Sequence, residues 1–250
     1  MVKISDFKAL ICDIEGTLCH INFVHKKLFP FVLDNIASYL DRTWDSAVTK
    51  EDVEGIISQS EKDVADGITG VVPVPRTSDA DALKAAVIAN VQWQMSIDRK
   101  IAALKNLQGH IWKAGYDNGE LVSELFPDVL PSLRAAKDKG IKLYIYSSGS
   151  VSAQKLLFSH TVEGNVLDLF SGYFDTAVGH KREEQSYTNI AKEIEQEPKD
   201  CLFLTDIYEE SVAADAAGMG TCAVRLHRKK YFLFSIESIF ICLSLLQRLF

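Results

Sequence analysis

The chain has 250 residues, enough for one large domain or two modest ones, and 47% are hydrophobic against 24% charged, which excludes a mainly disordered chain. Its formal charge of -7 argues against a nucleic-acid partner, because phosphate backbones are held by clustered Lys and Arg. The five cysteines, Cys12, Cys19, Cys201, Cys222 and Cys242, include no CxxC pair and leave one over, so they read as reduced core thiols rather than as a zinc knuckle or a disulfide framework.

The opening "MVKISDFKAL" lacks the basic stretch plus apolar run of a secretory signal, so a cytosolic protein is the expectation. The first element is the apolar run "ALIC", which ends at Asp13. From about 25 to 126, "FPFVLDNIASYLDRTW", "KEDVEGIISQSEKDVADG" and "DADALKAAVIANVQWQMSIDRKIAALKNLQG" carry apolar residues at helical spacing and no strand-like run. They predict a helical bundle inserted after the first strand, with the breaker-rich "VVPVPRTSD", 71–79, as a loop inside it.

From about 128 the pattern alternates. "PSLRAAKDKG" has Pro131 in a first turn and closes on Gly140, and "EESVAADAAG" closes on Gly218, both favoured helix placements. Between such helices lie the apolar runs "IKLYIY" before Ser147, "CLFLT" before Asp206, and "TCAV" at 221–224. Short continuous apolar runs of this kind suggest parallel strands covered on both faces. The fold expected is therefore α/β, a doubly wound, Rossmann-like parallel sheet with ligands at the carboxyl ends of its strands.

Chemistry-bearing residues gather at those ends. Asp13, at the tip of a buried strand and before a Gly-Thr turn, is a rigidly held carboxylate of the kind that serves as a nucleophile; an aspartate that merely ends a strand is the plainer alternative. Ser147 and Ser148 lie just past a buried strand, where "SGSVSAQKLLF" opens a helix; there hydroxyls and helix N-terminal amides suit a phosphate oxygen and Ser150 suits an N-cap. Lys181, in "VGHKREEQSY", is either a solvated charge or a cation beside the strand ends. Asp206 would supply a hard oxygen ligand for Mg2+.

The order Asp, Ser, Lys, Asp resembles the haloacid dehalogenase superfamily. "DIEGT", "QGHIWKAGYDNGELVSELFPDVLPSL", "YIYSSGSVSAQKLLF", "FDTAVGHKREEQSYTNIA" and "LFLTDIYEESVAADAAGM" narrow the resemblance to the enolase-phosphatases (acireductone synthases) of methionine salvage, over roughly residues 5 to 225. The resemblance implies a hydrolase core of residues 1–24 and 127–225, an all-helical cap of residues 25–126 closing over the strand ends, and an atypical apolar tail from 226 to 250. It implies an Mg2+-dependent enzyme that enolises a phosphorylated methylthio-diketopentane and then hydrolyses its phosphate.

The implied roles are Asp13 as nucleophile and Mg2+ ligand, Glu15 as Mg2+ contact and acid/base, Ser147, Ser148 and Lys181 as substrate contacts, and Asp206 as Mg2+ ligand. Glu210 reads as an exposed first-turn helix glutamate, with added charge near the metal as the alternative. His20, Asn22 and Phe23 follow the nucleophile on a flap, where substrate contact and hinge packing are equal readings. Trp112 and Tyr116 read as cap core rather than substrate contacts. A cytoplasmic monomer, with the nucleus as a second location and a small phosphorylated diketone as its partner, completes these expectations.

After "GMGTCAV" the resemblance ends in "RLHRKKYFLFSIESIFICLSLLQRLF". Positions 232, 233, 236, 239, 240, 243, 246 and 250 fit one helical face. An altered terminus is the first reading, a packed helix the second, and a membrane anchor through 231–250 the third. Two other functions stay open: a phosphatase of a different small phosphomonoester, and a binding protein on the same scaffold.

Overall fold

The structure, a computed structural model, describes residues 6–227 and 230–233, with side chains as far as 222. It divides into two compact units, one of residues 1–24 and 122–250, the other of residues 25–121.

The first unit is built on a six-stranded sheet. Its strands are β1 (Ala9–Cys12), β2 (Lys142–Tyr146), β3 (Gly172–Phe174), β4 (Cys201–Thr205), β5 (Gly220–His227) and β6 (Lys230–Leu233), in the order β3-β2-β1-β4-β5-β6. All neighbours pair in parallel except β5 and β6, which are antiparallel. The expected doubly wound sheet is present, and the order of successive strands reverses at β1, so β1 and β4 flank the switch point where such folds bind ligands. β3 lacks a sequence signal because "GYF" is a short, half-exposed edge. At 232 and 233 the chain is strand, not the start of a helix; the rest of the expected helical face, from 236 to 250, lies outside the described residues.

Every residue of β1 and β4 is buried, as continuous apolar runs covered on both faces should be. Ala9, Ile11, Tyr144, Tyr146 and Phe203 face one way and pack on Tyr187, Ile190 and Ala191 of α8 (Glu184–Glu193) and on Ala213 and Ala214 of α9 (Tyr208–Ala216). The alternate residues Leu10, Cys12, Leu143, Ile145, Leu202 and Leu204 are buried as well, and α6 (Val129–Asp138) and α7 (Val151–Ser159) lie against β2 and β3. Gly140 and Gly218 take φ of +82° and +85° after α6 and α9, the left-handed conformation that ends a helix at low cost in glycine.

A one-turn helix, α1 (Ile21–Phe23), leads toward the second unit, which consists of α2 (Phe29–Thr43), α3 (Ala47–Ala65), α4 (Ala80–Ser96) and α5 (Ala102–Asp117). Ser46 caps α3 by accepting from Thr49 N, and Asp79 caps α4 by accepting from Asp81 N and Ala82 N. Val32, Ile36, Leu40, Val53, Ile56, Val87, Val91, Leu107 and Ile111 form its core. Residues 122–126, grouped with the helices by their sequence pattern, belong to the sheet unit: Ser123 N donates to His160 O at 2.8 Å and Phe126 N to Leu18 O at 2.9 Å.

Candidate active site

Strand register gathers the site. Cys12 pairs with Ile145 on one side and Leu204 on the other, so Asp13 stands level with Tyr146 and Thr205, and Ser147 and Asp206 follow one step later. Asp13 N donates to Leu204 O at 2.9 Å, which holds this carboxylate on the end of the central strand.

Asp13 is 3% exposed, and its Oδ1 accepts from Lys181 Nζ at 2.6 Å. Lys181 is also buried and reaches Glu210 Oε2 at 2.7 Å. Glu210 accepts in addition from Thr205 Oγ1 at 2.7 Å. Glu210 is therefore not the exposed first-turn glutamate its position suggests: it is 8% exposed and shares the lysine with Asp13. Burial drives the Asp13 carboxyl above the ordinary aspartate range, with Glu15 and Glu210 pushing the same way and Lys181 opposing them. Burial alone would lower the Lys181 ammonium, yet the two carboxylates outweigh it and hold the group above the ordinary lysine value.

The cluster is thus short of positive charge. Asp206 adds to the deficit: burial first, then Glu210 and Glu15, raise its carboxyl, and Oδ1 is buried without a hydrogen-bond partner. Gly16 lies against it at φ +86°, where a Cβ would come within 2.1 Å of Asp206 Oδ2. Among the described residues no three His, Cys, Asp or Glu side chains converge as a ready-made metal cage. Mg2+ does not need one, since it keeps several waters and takes one or two carboxylates. Asp13 and Asp206, hard oxygen donors with one atom unpartnered, fit that requirement.

Glu15 is committed elsewhere in this structure, its Oε2 accepting from Ser147 Oγ at 2.9 Å. Ser147 is fully buried, accepts from Gly149 N at 3.2 Å, and donates its own N–H to Phe174 O at 3.2 Å, whereas Ser148 is exposed. The α7 amides were expected to share in holding a phosphate. Ala153 N donates instead to the N-cap Ser150 Oγ at 3.3 Å, and Val151 N to Asp175 Oδ2 at 3.1 Å. Asp175, which carries no signal in the sequence, brings a carboxylate to the helix end that would otherwise attract an anion.

His20 is exposed and accepts from Asn22 N through Nδ1 at 3.0 Å, while Phe23 is buried. Within the helical unit Tyr116 is buried, and Trp112 donates from Nε1 to Leu28 O at 2.8 Å while stacking on Phe29, the core packing expected of both. Sequence reasoning also missed Thr17, buried 3.4 Å from Asp13 Oδ2, and Thr205. The available signal for Glu210 was its place one helical turn beyond Asp206, which points it back at the strand ends.

Residues 7–218 match the haloacid dehalogenase-like hydrolase family. The chain is 48% identical over 218 residues to the enolase-phosphatase E1 of Xenopus tropicalis, covering 86% of this chain and 83% of that one. It is 45% identical to a probable bifunctional methylthioribulose-1-phosphate dehydratase/enolase-phosphatase E1 of Populus trichocarpa, covering 85% of this chain and 41% of the larger relative. Among solved structures, the UTR4 protein of Saccharomyces cerevisiae superposes with a TM-score of 0.67 at 32% identity, over 87% of this chain and 89% of that one. Together with the aspartate, lysine and acidic strand tips just described, these similarities show that the chain belongs to the haloacid dehalogenase-like hydrolases and, within them, to the enolase-phosphatase E1 family.

Proposed function

We propose that this protein is an Mg2+-dependent enolase-phosphatase that converts 2,3-diketo-5-methylthiopentyl-1-phosphate to the acireductone 1,2-dihydroxy-3-keto-5-methylthiopentene in methionine salvage. The observation that carries the reading is the buried Asp13 held by Lys181 at the switch point of the sheet, in a chain of the enolase-phosphatase E1 family.

Asp13 is the nucleophile. One of its carboxylate oxygens forms a bond to phosphorus as the bond from phosphorus to the substrate oxygen breaks, giving an aspartyl phosphate. Water then attacks phosphorus, releasing inorganic phosphate and restoring the carboxylate. Lys181 counters the negative charge of the phosphoryl oxygens and the aspartate together, in a buried site where such charge is worth more than in water. When bound, Mg2+ supplies Lewis-acid stabilisation of that charge; Asp13 and Asp206 would hold it, with Glu15 as a further oxygen donor.

Glu15 moves protons, taking one from the carbon skeleton during enolisation and giving one to the leaving oxygen during dephosphorylation. Its bond from Ser147 sets the direction of its carboxylate, and Ser148, which is exposed, is the further substrate contact in this reading. The test is to incubate the protein with the diketo-phosphate and Mg2+ while following phosphate release and the absorbance of the enediol. Both signals are expected. Phosphate without enediol would overturn the bifunctional reading and leave a phosphatase, and the absence of both signals would overturn the reading altogether.

A further inference from the structure

Lys181 is carried by a loop without regular secondary structure, yet the loop's backbone is pinned carbonyl by carbonyl. Val178 O accepts from Asn189 Nδ2 at 3.1 Å, Gly179 O from Tyr146 Oη at 3.0 Å, His180 O from Ser186 Oγ at 2.7 Å, and Lys181 O from Tyr187 Oη at 2.5 Å. Four consecutive carbonyls thus accept from four side chains, three of them on the first two turns of α8 and one at the end of β2. Gly179, at φ +137°, lets the chain pass so close to Ser186 that a Cβ would meet its Oγ at 2.2 Å.

The same residues form the floor beneath the lysine. Tyr146, Tyr187 and Phe203 are fully buried and meet edge to face or tilted, with ring centroids 5.0–6.3 Å apart. Lys181 Nζ lies 5.8 Å from the Tyr146 ring centroid and 5.9 Å from that of Phe203, at the outer range of a cation–π contact. The Tyr146 hydroxyl donates to Gly179 O and the Tyr187 hydroxyl to Lys181 O. The Tyr146 ring also lies near the ammonium, and the Tyr187 ring packs against Tyr146 and Phe203.

We infer that Tyr187, together with Tyr146, Ser186 and Asn189, is a positioning residue: these side chains fix the backbone of Val178–Lys181 so that the Lys181 ammonium meets Asp13 and the phosphoryl group without searching. Lysine has a long, rotamer-rich side chain, and anchoring its Cα and stem removes much of the freedom that binding a phosphate would otherwise have to freeze. The inference rests on the proposed role of Lys181 in phosphate binding, and its test separates the two.

The experiment is a double-mutant cycle on the full chain with Mg2+, reading the affinity for inorganic phosphate by calorimetry and kcat with the diketo-phosphate. Tyr187→Phe removes one hydroxyl and keeps the ring. It is expected to weaken phosphate binding and lower kcat about five- to tenfold, the loss of one buried hydrogen bond. In the Lys181→Ala background the same change is expected to move phosphate affinity less than about twofold, because a residue acting through Lys181 has nothing left to position. A merely structural tyrosine would weaken binding equally in both backgrounds, and that result, or no effect of Tyr187→Phe on the wild-type chain, overturns the inference. Asn189→Ala, at a half-buried helix position, is the second variant and decides the case by the same two criteria if Tyr187→Phe does not fold. Loss of phosphate affinity in Tyr187→Phe alone, in a protein that does not turn over the diketo-phosphate, would uphold the clamp and reject the assigned substrate.

Discussion

A Cβ placed on Gly16 would stand 2.1 Å from Asp206 Oδ2, so the first turn after β1 and the acidic tip of β4 are fitted to each other with no room for a side chain. Gly16 also sits at φ +86°, which an L-residue adopts only with strain. Gly16→Ala is therefore expected to push Asp206 away from Asp13, raising the Mg2+ concentration for half-maximal phosphate release by about tenfold or more. A Mg2+ titration of the variant checks this; unchanged Mg2+ dependence would mean that Asp206 does not hold the ion.

Asp13→Asn keeps the size of the buried residue and removes the carboxylate oxygen proposed as the nucleophile. Turnover is expected to fall by at least about 10⁴-fold, as it does when a catalytic nucleophile is deleted. Single-turnover assays with the diketo-phosphate would detect any residue of activity. A rate near wild type would remove Asp13 from its role.

Glu210 does not reach the sheet's central carboxylate, but it holds the other side of the Lys181 ammonium. Glu210→Ala should lower kcat/KM about 10- to 100-fold, the range seen when a group that orients a site residue is lost. Thr205→Val, which removes the hydroxyl that donates to Glu210 and accepts from Ile207 N but leaves the Glu210 carboxylate in place, should give a smaller loss in the same direction. Steady-state kinetics on both variants would rank them.

Glu15→Asp shortens the acid/base by one methylene. Enolisation is expected to suffer more than dephosphorylation, because the carbon skeleton is where the longer reach is used. Following enediol and phosphate together distinguishes a selective loss from a uniform one, and a uniform loss would end the idea of a separate role for the extra methylene.

The helical unit has its own pH dependence. Arg99 hydrogen-bonds Asp63 and holds its carboxyl below the usual carboxylate range, outweighing the effect of burial. The folded state thus keeps Asp63 ionised to a lower pH than the unfolded chain, whose aspartates titrate at about 3.9. The resulting stability is fully present above that value and is lost as pH falls through the depressed one. Asp63→Asn should cost about 1–3 kcal/mol at pH 7, with a difference in Tm from the wild-type chain that shrinks as the pH is lowered into the acid range. Melts of both proteins from neutral pH downward measure it.

Several of these residues are visible in the sequence and others are not, for physical reasons. β1, β2 and β4 announce themselves because strands covered on both faces must be continuous apolar runs, and each delivers a polar residue at its carboxyl end. Lys181 and Glu210 carry no such strand-end mark: charged residues on a loop and in a helix first turn are usually solvated, so Lys181 is singled out through the family resemblance, and only the fold brings its ammonium within hydrogen-bond distance of both Asp13 and Glu210. The engagement of the α7 amides by Asp175 was equally hidden, since it depends on the loop after β3, a strand too short to recognise. Glu15 is the opposite case, an unusual residue in an otherwise ordinary motif, whose identity helps narrow the family together with the other motifs.

The central place of β1 has a consequence for how the enzyme comes into being. The strand that bears Asp13 is the first of the six to leave the ribosome, but its two hydrogen-bonding neighbours begin at Lys142 and Cys201, with the whole helical unit synthesised in between. Contacts of such sequence separation form late, because a long loop must close before they repay its entropy. A nascent chain therefore carries Asp13 in an unpaired segment, without Lys181, without Asp206 and without a sheet to bury it, until β4 has emerged. Phosphoryl chemistry switches on with completion of the fold rather than growing in as the chain lengthens.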